Sequence, residues 1–262
     1  FIGVARFVAL VVCFVSGWAP AERPAQAGGI MTSVSEKDTS LASLRSEAVL
    51  GTLDLDRPEL EAVKAKAEEG DRLGALAALL AHFRAKYPWP EATTTVGQDT
   101  VAAADRTVDH VLHWGPYDPA DYGEDIDWAW DPAGDIEWVA AVYRFYWANA
   151  LTEAFLATRD EKYAAAFVEL TSDWIAKHPL ENREQTHPVY TGWRGFAWLD
   201  IQTGIRATNL CKAFPTMVHG EAFTPAFLGV FLASLYDHQV KTEKLPMGKV
   251  HNKAIFEQRG FV

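Results

Sequence analysis

The chain has 262 residues, 49% hydrophobic and 23% charged, which is enough to bury a sizeable core in one globular domain. Its formal charge of −11 comes with no basic stripe, which excludes nucleic acid as a partner. An anionic polymer is still admissible where basic residues gather locally, because like charges farther off than about 8 to 10 Å are screened.

Residues 1–27 carry Arg6, an apolar run over 7–15 and small residues at Ala25-Gln26-Ala27, the pattern of a secretory signal peptide. The run is shorter than the roughly twenty apolar residues of a membrane span. The expected product is therefore secreted or periplasmic and touches no membrane after cleavage. Cleavage also removes Cys13 and leaves Cys211, whose apolar helical surroundings mark a small core residue rather than a reactive thiol. Residues 28–40 are small and polar and read as a flexible linker; residues 41–262 read as the folded domain.

Pro58 sits in the first turn of a helical stretch, and a second stretch after Gly70-Asp71 puts Leu73, Leu76, Leu79, Leu80 and Phe83 on one face. Pro88 and Pro90 close this hairpin. Residues 88–135 are rich in Gly, Pro and Asp, show no period and read as loop. From Ile136, the positions Ala140, Tyr143, Trp147 and Leu151 recur every three or four residues and predict one long amphipathic helix. Thr158-Arg159-Asp160 is a turn, and Tyr163, Phe167, Leu170 and Trp174 mark the antiparallel partner, ended by Pro179. A third long helix is expected over 193–213. A fourth opens at Thr224-Pro225, an N-cap followed by Pro at the first helical position, and buries Phe227, Leu228, Phe231, Leu232 and Leu235. A last one begins near Asn252.

No stretch alternates as a strand does, so the class is all-α, and the hairpins predict an incomplete α/α toroid. The period of roughly 34 residues that a tetratricopeptide solenoid requires is missing.

Three clusters carry polar or aromatic chemistry. In Asp125-Ile126-Asp127-Trp128-Ala129-Trp130-Asp131, rings alternate with acids in a loop; Trp128 and Trp130 are either platforms for the C–H faces of sugar rings or plugs of the helical core. In Trp193-Arg194, a guanidinium beside a ring suits a carboxylate or sulfate; Asp200 and Arg206 on the following helix lie on different faces, so one or both are expected to look outward, with Arg206 a candidate for binding ligand. Lys249-Val250-His251-Asn252-Lys253 joins an imidazole, an amide and two cations, with Asn252 as a plain N-cap the simplest alternative.

The run from Asp127 through Trp138, Arg144, Tyr146-Trp147 and Thr158-Arg159-Asp160-Glu161-Lys162-Tyr163 to Trp174 resembles the N-terminal helical domain of heparinase II/III polysaccharide lyases. Trp193-Arg194 through Arg206 resembles the helix that follows there. His251-Asn252-Lys253-Ala254-Ile255-Phe256-Glu257 stands where that family opens a helix with an Asn-His motif; here Lys253 takes the place of the His. The resemblance covers residues 120–262 and implies a chain truncated before a C-terminal β-sandwich. It implies cleavage of uronic-acid glycans such as heparan sulfate or alginate by β-elimination. The C5 proton is only weakly acidic beside a charged carboxylate, so the site must neutralise that group and supply a base and an acid. The resemblance gives Asn252 the carboxylate, His251 a role as base or second carboxylate ligand, and Lys253, Arg194 and Arg206 electrostatic binding.

Two other readings use the same residues. An α/α-barrel glycoside hydrolase would draw its two carboxylates from Asp125, Asp127, Asp131 and Asp135, and a non-catalytic carbohydrate-binding scaffold would need only the aromatics. His187, His219, His238 and His251 are dispersed, with no HExxH and no paired Cys, so neither metal nor cofactor is predicted.

Overall fold

The computed structural model describes residues 46, 48–89, 96–193 and 195–243. The predicted signal peptide, the linker, the helix near Asn252, and the candidates Arg194, His251, Asn252 and Lys253 lie outside the described residues.

The described chain is mostly helical: α1 Glu61–Glu68, α2 Arg72–Lys86, α3 Gln98–Val108, α4 Ile136–Tyr143, α5 Trp147–Thr158, α6 Glu161–Lys177, α7 Asp200–Met217 and α8 Pro225–Glu243. Side-chain caps start several of them. Asp71 accepts from the Gly74 amide, Asp135 from Glu137, Asp160 from Lys162 and Thr224 from Phe227, each satisfying a donor the helix leaves free. Arg159, with φ 60°, ends α5 in the left-handed region, and its amide bonds the Phe155 carbonyl at 2.9 Å.

Two elements lie in the stretch read as loop. Helix α3 buries only Ala104 and Thr107, small residues that let it approach α5 and α6 closely but give no stripe of large side chains to read. A two-residue ladder, β1 Val111–Leu112 with β2 Ala120–Asp121, pairs antiparallel and closes the following loop. Leu73 departs from its expected face: it is 60% exposed, because it sits in the first turn of α2 at the margin of the Leu76–Leu79–Leu80–Phe83 stripe.

The long helix expected from Ile136 is two helices. Arg144, Phe145 and Tyr146 form a turn between α4 and α5, with Phe145 at φ 59° although its side chain is fully buried. A buried aromatic in the left-handed region is strained and persists only where packing fixes it. Phe145 is held by Trp147, Trp174 and Trp128, at ring separations of 4.6, 5.4 and 6.3 Å. The third long helix also differs from expectation. Phe196–Trp198 is a short 3-10 turn, and α7 starts at Asp200 and runs to Met217 with Pro215 in its last turn, where a missing amide costs one hydrogen bond.

Helix α5 packs on α3, α6 and α7, and α8 packs on α2, α6 and α7. The connections between the helices gather at two ends. At one end the Arg84 guanidinium takes the carbonyls of Val218 and Gly220 at 2.7 and 3.1 Å, and Arg159 lies 3.6 Å over the Trp89 ring. The other end gathers the loop before α4 and the segment between α6 and α7; α8 finishes there at Glu243, eight residues before His251 in the sequence.

Candidate functional site

The two segments at that end are tied to the helices and to each other by side chains. Lys177 at the end of α6 pairs with Asp125 at 2.7 Å and donates to the Ile126 carbonyl at 2.8 Å. Asp131 accepts from the amides of Ala133 and Asp135, both at 3.1 Å, and its other oxygen accepts a short hydrogen bond from the Tyr190 hydroxyl. The Tyr117 hydroxyl makes a similar short bond to Asp135. The acids of this loop are therefore anchors for backbone and hydroxyl donors.

Trp128 and Trp130, two residues apart, have opposite fates. Trp128 is 1% exposed, donates its indole N–H to Asp173 at 2.6 Å and packs against Phe145 and Trp147. It is a core plug, and the alternative of a sugar platform is corrected for this residue. Trp130 is 40% exposed, edge-on to Tyr122 at 5.1 Å, and lines an open groove of about 650 Å³ with Tyr117, Pro116, Pro119 and Pro132. Trp193 is 42% exposed and edge-on to Phe196.

Arg206 does not face outward; it is fully buried, and that expectation is corrected. Its Nη1 donates to the carbonyls of Tyr143 and Ala197 at 2.8 and 3.0 Å, and its Nε donates to His238 Nε2 at 2.8 Å. The guanidinium lies 4.0 Å from the Trp174 ring centre and 5.0 Å from that of Trp198, distances typical of cation–π stacking. Burial pulls its pKa down to about 9. Among the described residues no carboxylate pairs with it. The reason for an arginine here is the break before it: a continuous helix would pass the Tyr143 carbonyl to the amide of Trp147 and the Arg144 carbonyl to that of Ala148. Ala148 bonds the Phe145 carbonyl instead, and the orphaned oxygens are taken by Arg206 and by Asn209, one turn along α7, whose amide reaches the Arg144 carbonyl at 2.8 Å.

Next to the Tyr143 and Ala197 carbonyls that Arg206 binds lies a cleft of about 70 Å³ lined by Tyr143, His178, His187, Phe196 and Trp198 among others. His178 Nδ1 donates to the Trp174 carbonyl at 3.2 Å, leaving Nε2 to accept from the Tyr143 hydroxyl at 3.3 Å. Burial lowers the His178 pKa to about 4 and raises that of Tyr143 far above its ordinary value, so the pair is uncharged at neutral pH. His187, also lowered by burial, accepts from the amides of Val189 and Tyr190 at its Nδ1. Among the described residues no group of three or more His, Cys, Asp or Glu side chains is placed to hold a metal ion.

Residues 49–260 match the family model described as the heparinase II/III N-terminus. The chain belongs to the heparinase II/III family. It is 32% identical over 208 residues to a heparin-sulfate lyase of Bacteroides stercoris, covering 73% of this chain and 31% of that one. It is 31% identical over 218 residues to one of Pedobacter heparinus, covering 78% and 32%. Among solved structures, the heparan sulfate lyase HepC of Pedobacter heparinus superposes with a TM-score of 0.72 at 29% identity, covering 80% of this chain and 34% of that one. A heparinase III superposes at 0.69 with 30% identity, covering 81% and 35%. This heparinase II/III chain thus spans about a third of the length of the curated relatives it matches.

Within the heparinase II/III domain, the residues that organise the site end are largely ones that spacing could not single out: Tyr143, His178, His187, Asn209 and His238. Tyr143 reads only as an apolar helix position, and His187 lies in a polar stretch with no spacing to mark it. The readable signal was the juxtaposition of Arg206 and Asn209 at i and i+3 on a helix otherwise destined for the core, a pair that requires acceptors on a neighbour.

Proposed function

We propose that this chain is the N-terminal helical part of an exported polysaccharide lyase that cleaves heparan-sulfate-type glycosaminoglycans beside a uronic acid by β-elimination. The observation that carries this reading is the identity of 31 to 32% over more than 200 residues to proteins named heparin-sulfate lyases. These names favour heparan sulfate over alginate. The hairpin array is read as one arc of an α/α toroid, and export rests on the apolar run over 7–15.

In this account the site forms at the end where α8 finishes. Trp130 and Trp193 offer rings to sugar faces, and Arg194 and Lys253 attract the anionic substituents. Asn252 donates its amide hydrogens to the uronate carboxylate, which makes the C5 proton easier to remove without repelling the base. His251 is the candidate base or a second carboxylate ligand. Arg206 serves the site through the core, by holding the α4–α5 turn and the 3-10 turn before α7. Over the 262 residues alone the account expects weak glycan binding at best and no turnover.

A glycoside hydrolase would require one carboxyl held protonated. Asp125 and Asp135 are instead held below the ordinary carboxylate range, the first by its hydrogen bond with Lys177 and the second by that with Tyr117, which weighs against either of these two as the acid. The test is a panel of heparan sulfate, heparin and alginate offered to the complete protein and to its Asn252→Ala variant. Cleavage of heparan sulfate that Asn252→Ala abolishes while binding persists supports the proposal; full activity in the variant removes Asn252 from the mechanism, and inertness toward every uronate polymer removes the lyase reading.

A further inference from the structure

We infer that Tyr190 and Asp131 are positioning residues for substrate: the hydrogen bond between them fixes the spacing of the exposed rings of Trp193 and Trp130, so that both lie against one glycan chain. That the ligand is a glycan rests on the proposed lyase function; that the two rings are held relative to each other rests on local geometry alone.

The two rings are carried differently. Trp130 stands on a loop tied to its surroundings on several sides. Its amide donates to the Asp127 carbonyl at 3.0 Å, and its carbonyl accepts from the Tyr122 hydroxyl at 3.3 Å, which itself takes the Trp138 indole N–H at 2.8 Å. Lys177 on α6 holds the same loop at Asp125 and at the Ile126 carbonyl. Trp193 stands instead at the end of a tight turn, its amide donating to the Tyr190 carbonyl at 2.9 Å with Thr191 and Gly192 at the corner. That turn belongs to a segment that closes on itself, the Gly195 amide donating to the Gln185 carbonyl at 2.9 Å. Gly195 has φ 68°, and a Cβ there would come within 2.2 Å of the Arg183 carbonyl oxygen, so the closure requires glycine. A surface segment whose bonds run largely within itself is fixed in place by the side chains that leave it.

Tyr190 is such a side chain. Its hydroxyl donates to one oxygen of Asp131, while the other oxygen of that carboxylate accepts the amides of Ala133 and Asp135, both at 3.1 Å. One carboxylate, next in sequence to Trp130, therefore organises its own loop and holds the turn that carries Trp193. A second link runs beside it. His187 Nδ1 accepts the amides of Val189 and Tyr190, which places the proton of the neutral ring on Nε2, directed to the Ala129 carbonyl on the other side of Trp130. The Tyr190 ring lies 5.0 Å from that of His187 and 6.5 Å from that of Phe196, contacts that a phenylalanine would keep. The hydroxyl is what reaches Asp131. Burial pushes its pKa up to about 12, so it remains a donor at neutral pH. A ligand lying on two rings gains the full benefit of the second only where their separation is set before binding; with a loose turn, part of that gain is lost to ordering.

The experiment compares the complete protein with its Tyr190→Phe, Trp193→Ala and doubly substituted variants. Binding of a heparan sulfate oligosaccharide is measured by calorimetry, and 19F NMR of 5-fluorotryptophan-labelled protein is recorded without ligand, with Trp193→Ala assigning the Trp193 resonance. Tyr190→Phe should weaken binding by roughly threefold or more in the parent, and by less than about 1.5-fold once Trp193 is alanine, because the hydroxyl acts through that ring. Without ligand it should shift or broaden the Trp193 resonance and leave those of the buried tryptophans in place. Equal weakening in both backgrounds is the mark of a merely structural role and overturns the inference, as does unchanged binding in the parent or an unmoved Trp193 resonance. A complete protein that ignores heparan sulfate counts against the substrate; the 19F comparison then decides by itself whether the Tyr190–Asp131 bond sets the ring.

Discussion

Arg206 Nη1 donates to the Tyr143 carbonyl at 2.8 Å, taking over an acceptor that the break between α4 and α5 withdraws from Trp147. One buried guanidinium thereby serves the end of α4, the 3-10 turn at Ala197 and, through His238, helix α8. Arg206→Met should leave two carbonyls and an imidazole nitrogen unsatisfied, at about 1 to 3 kcal/mol each before relaxation. The expected net loss is about 3 to 5 kcal/mol in urea unfolding. A loss under about 1 kcal/mol would mean that the turn is held by the aromatic packing alone.

Asn209→Leu probes the neighbouring carbonyl. Its amide is the side-chain donor to the buried Arg144 oxygen, so the apolar substitute should cost about 1 to 3 kcal/mol despite its similar size. A double-mutant cycle with Arg206→Met should show coupling above about 0.5 kcal/mol, since both residues support one turn. Strict additivity would separate them.

The two tryptophans of the loop before α4 make a matched pair. Trp128→Ala empties a fully buried site and should destabilise the fold by about 3 to 5 kcal/mol. Trp130→Ala should barely move the unfolding midpoint but weaken heparan sulfate binding by about 1 kcal/mol, roughly fivefold. Calorimetry of both variants decides. If Trp130→Ala binds as the parent does, the groove beside it is not a platform.

The difference between those tryptophans shows where the sequence stops being informative. Periodicity located α2, α6 and α8, because each buries large apolar residues at helical spacing. It failed on α3, whose buried face is Ala104 and Thr107, and it ran straight through Phe145, since a left-handed residue inside an apolar run leaves no compositional mark. The same blindness put Arg206 at the surface. The lack of a same-face partner in Asp200 argues for exposure, and only the carbonyls of Tyr143 and Ala197 explain why a cation is stable in the core. Of the site candidates, Trp130 and Trp193 are exposed while Trp128, set among the same acids as Trp130, is buried, so flanking residues alone did not separate a surface ring from a core one.

The buried imidazoles give the fold a pH dependence of predictable sign. Burial lowers His178 to about 4 and carries His238 well below its ordinary 6.5. As pH falls through 6.5 the unfolded chain binds these protons first, so stability is complete above pH 6.5 and drains away toward pH 4. Between pH 7 and 4.5 urea unfolding should register a loss of about 2 to 4 kcal/mol, above the range where most carboxylates titrate. His238→Gln, which keeps an acceptor for Arg206, should flatten that slope. A stability that is level down to pH 4.5 would contradict the assignment of neutral, buried rings.

The central claim concerns chemistry at a uronic acid, and the chemistry of the products tests it most directly. The complete protein is incubated with heparan sulfate, and the fragments are followed by ultraviolet absorbance and by mass. β-Elimination predicts fragments whose masses sum to that of the parent, with each cut creating one 4,5-unsaturated uronate and a matching rise in absorbance. Fragments heavier by one water per cut, with no absorbance gained, would contradict the account.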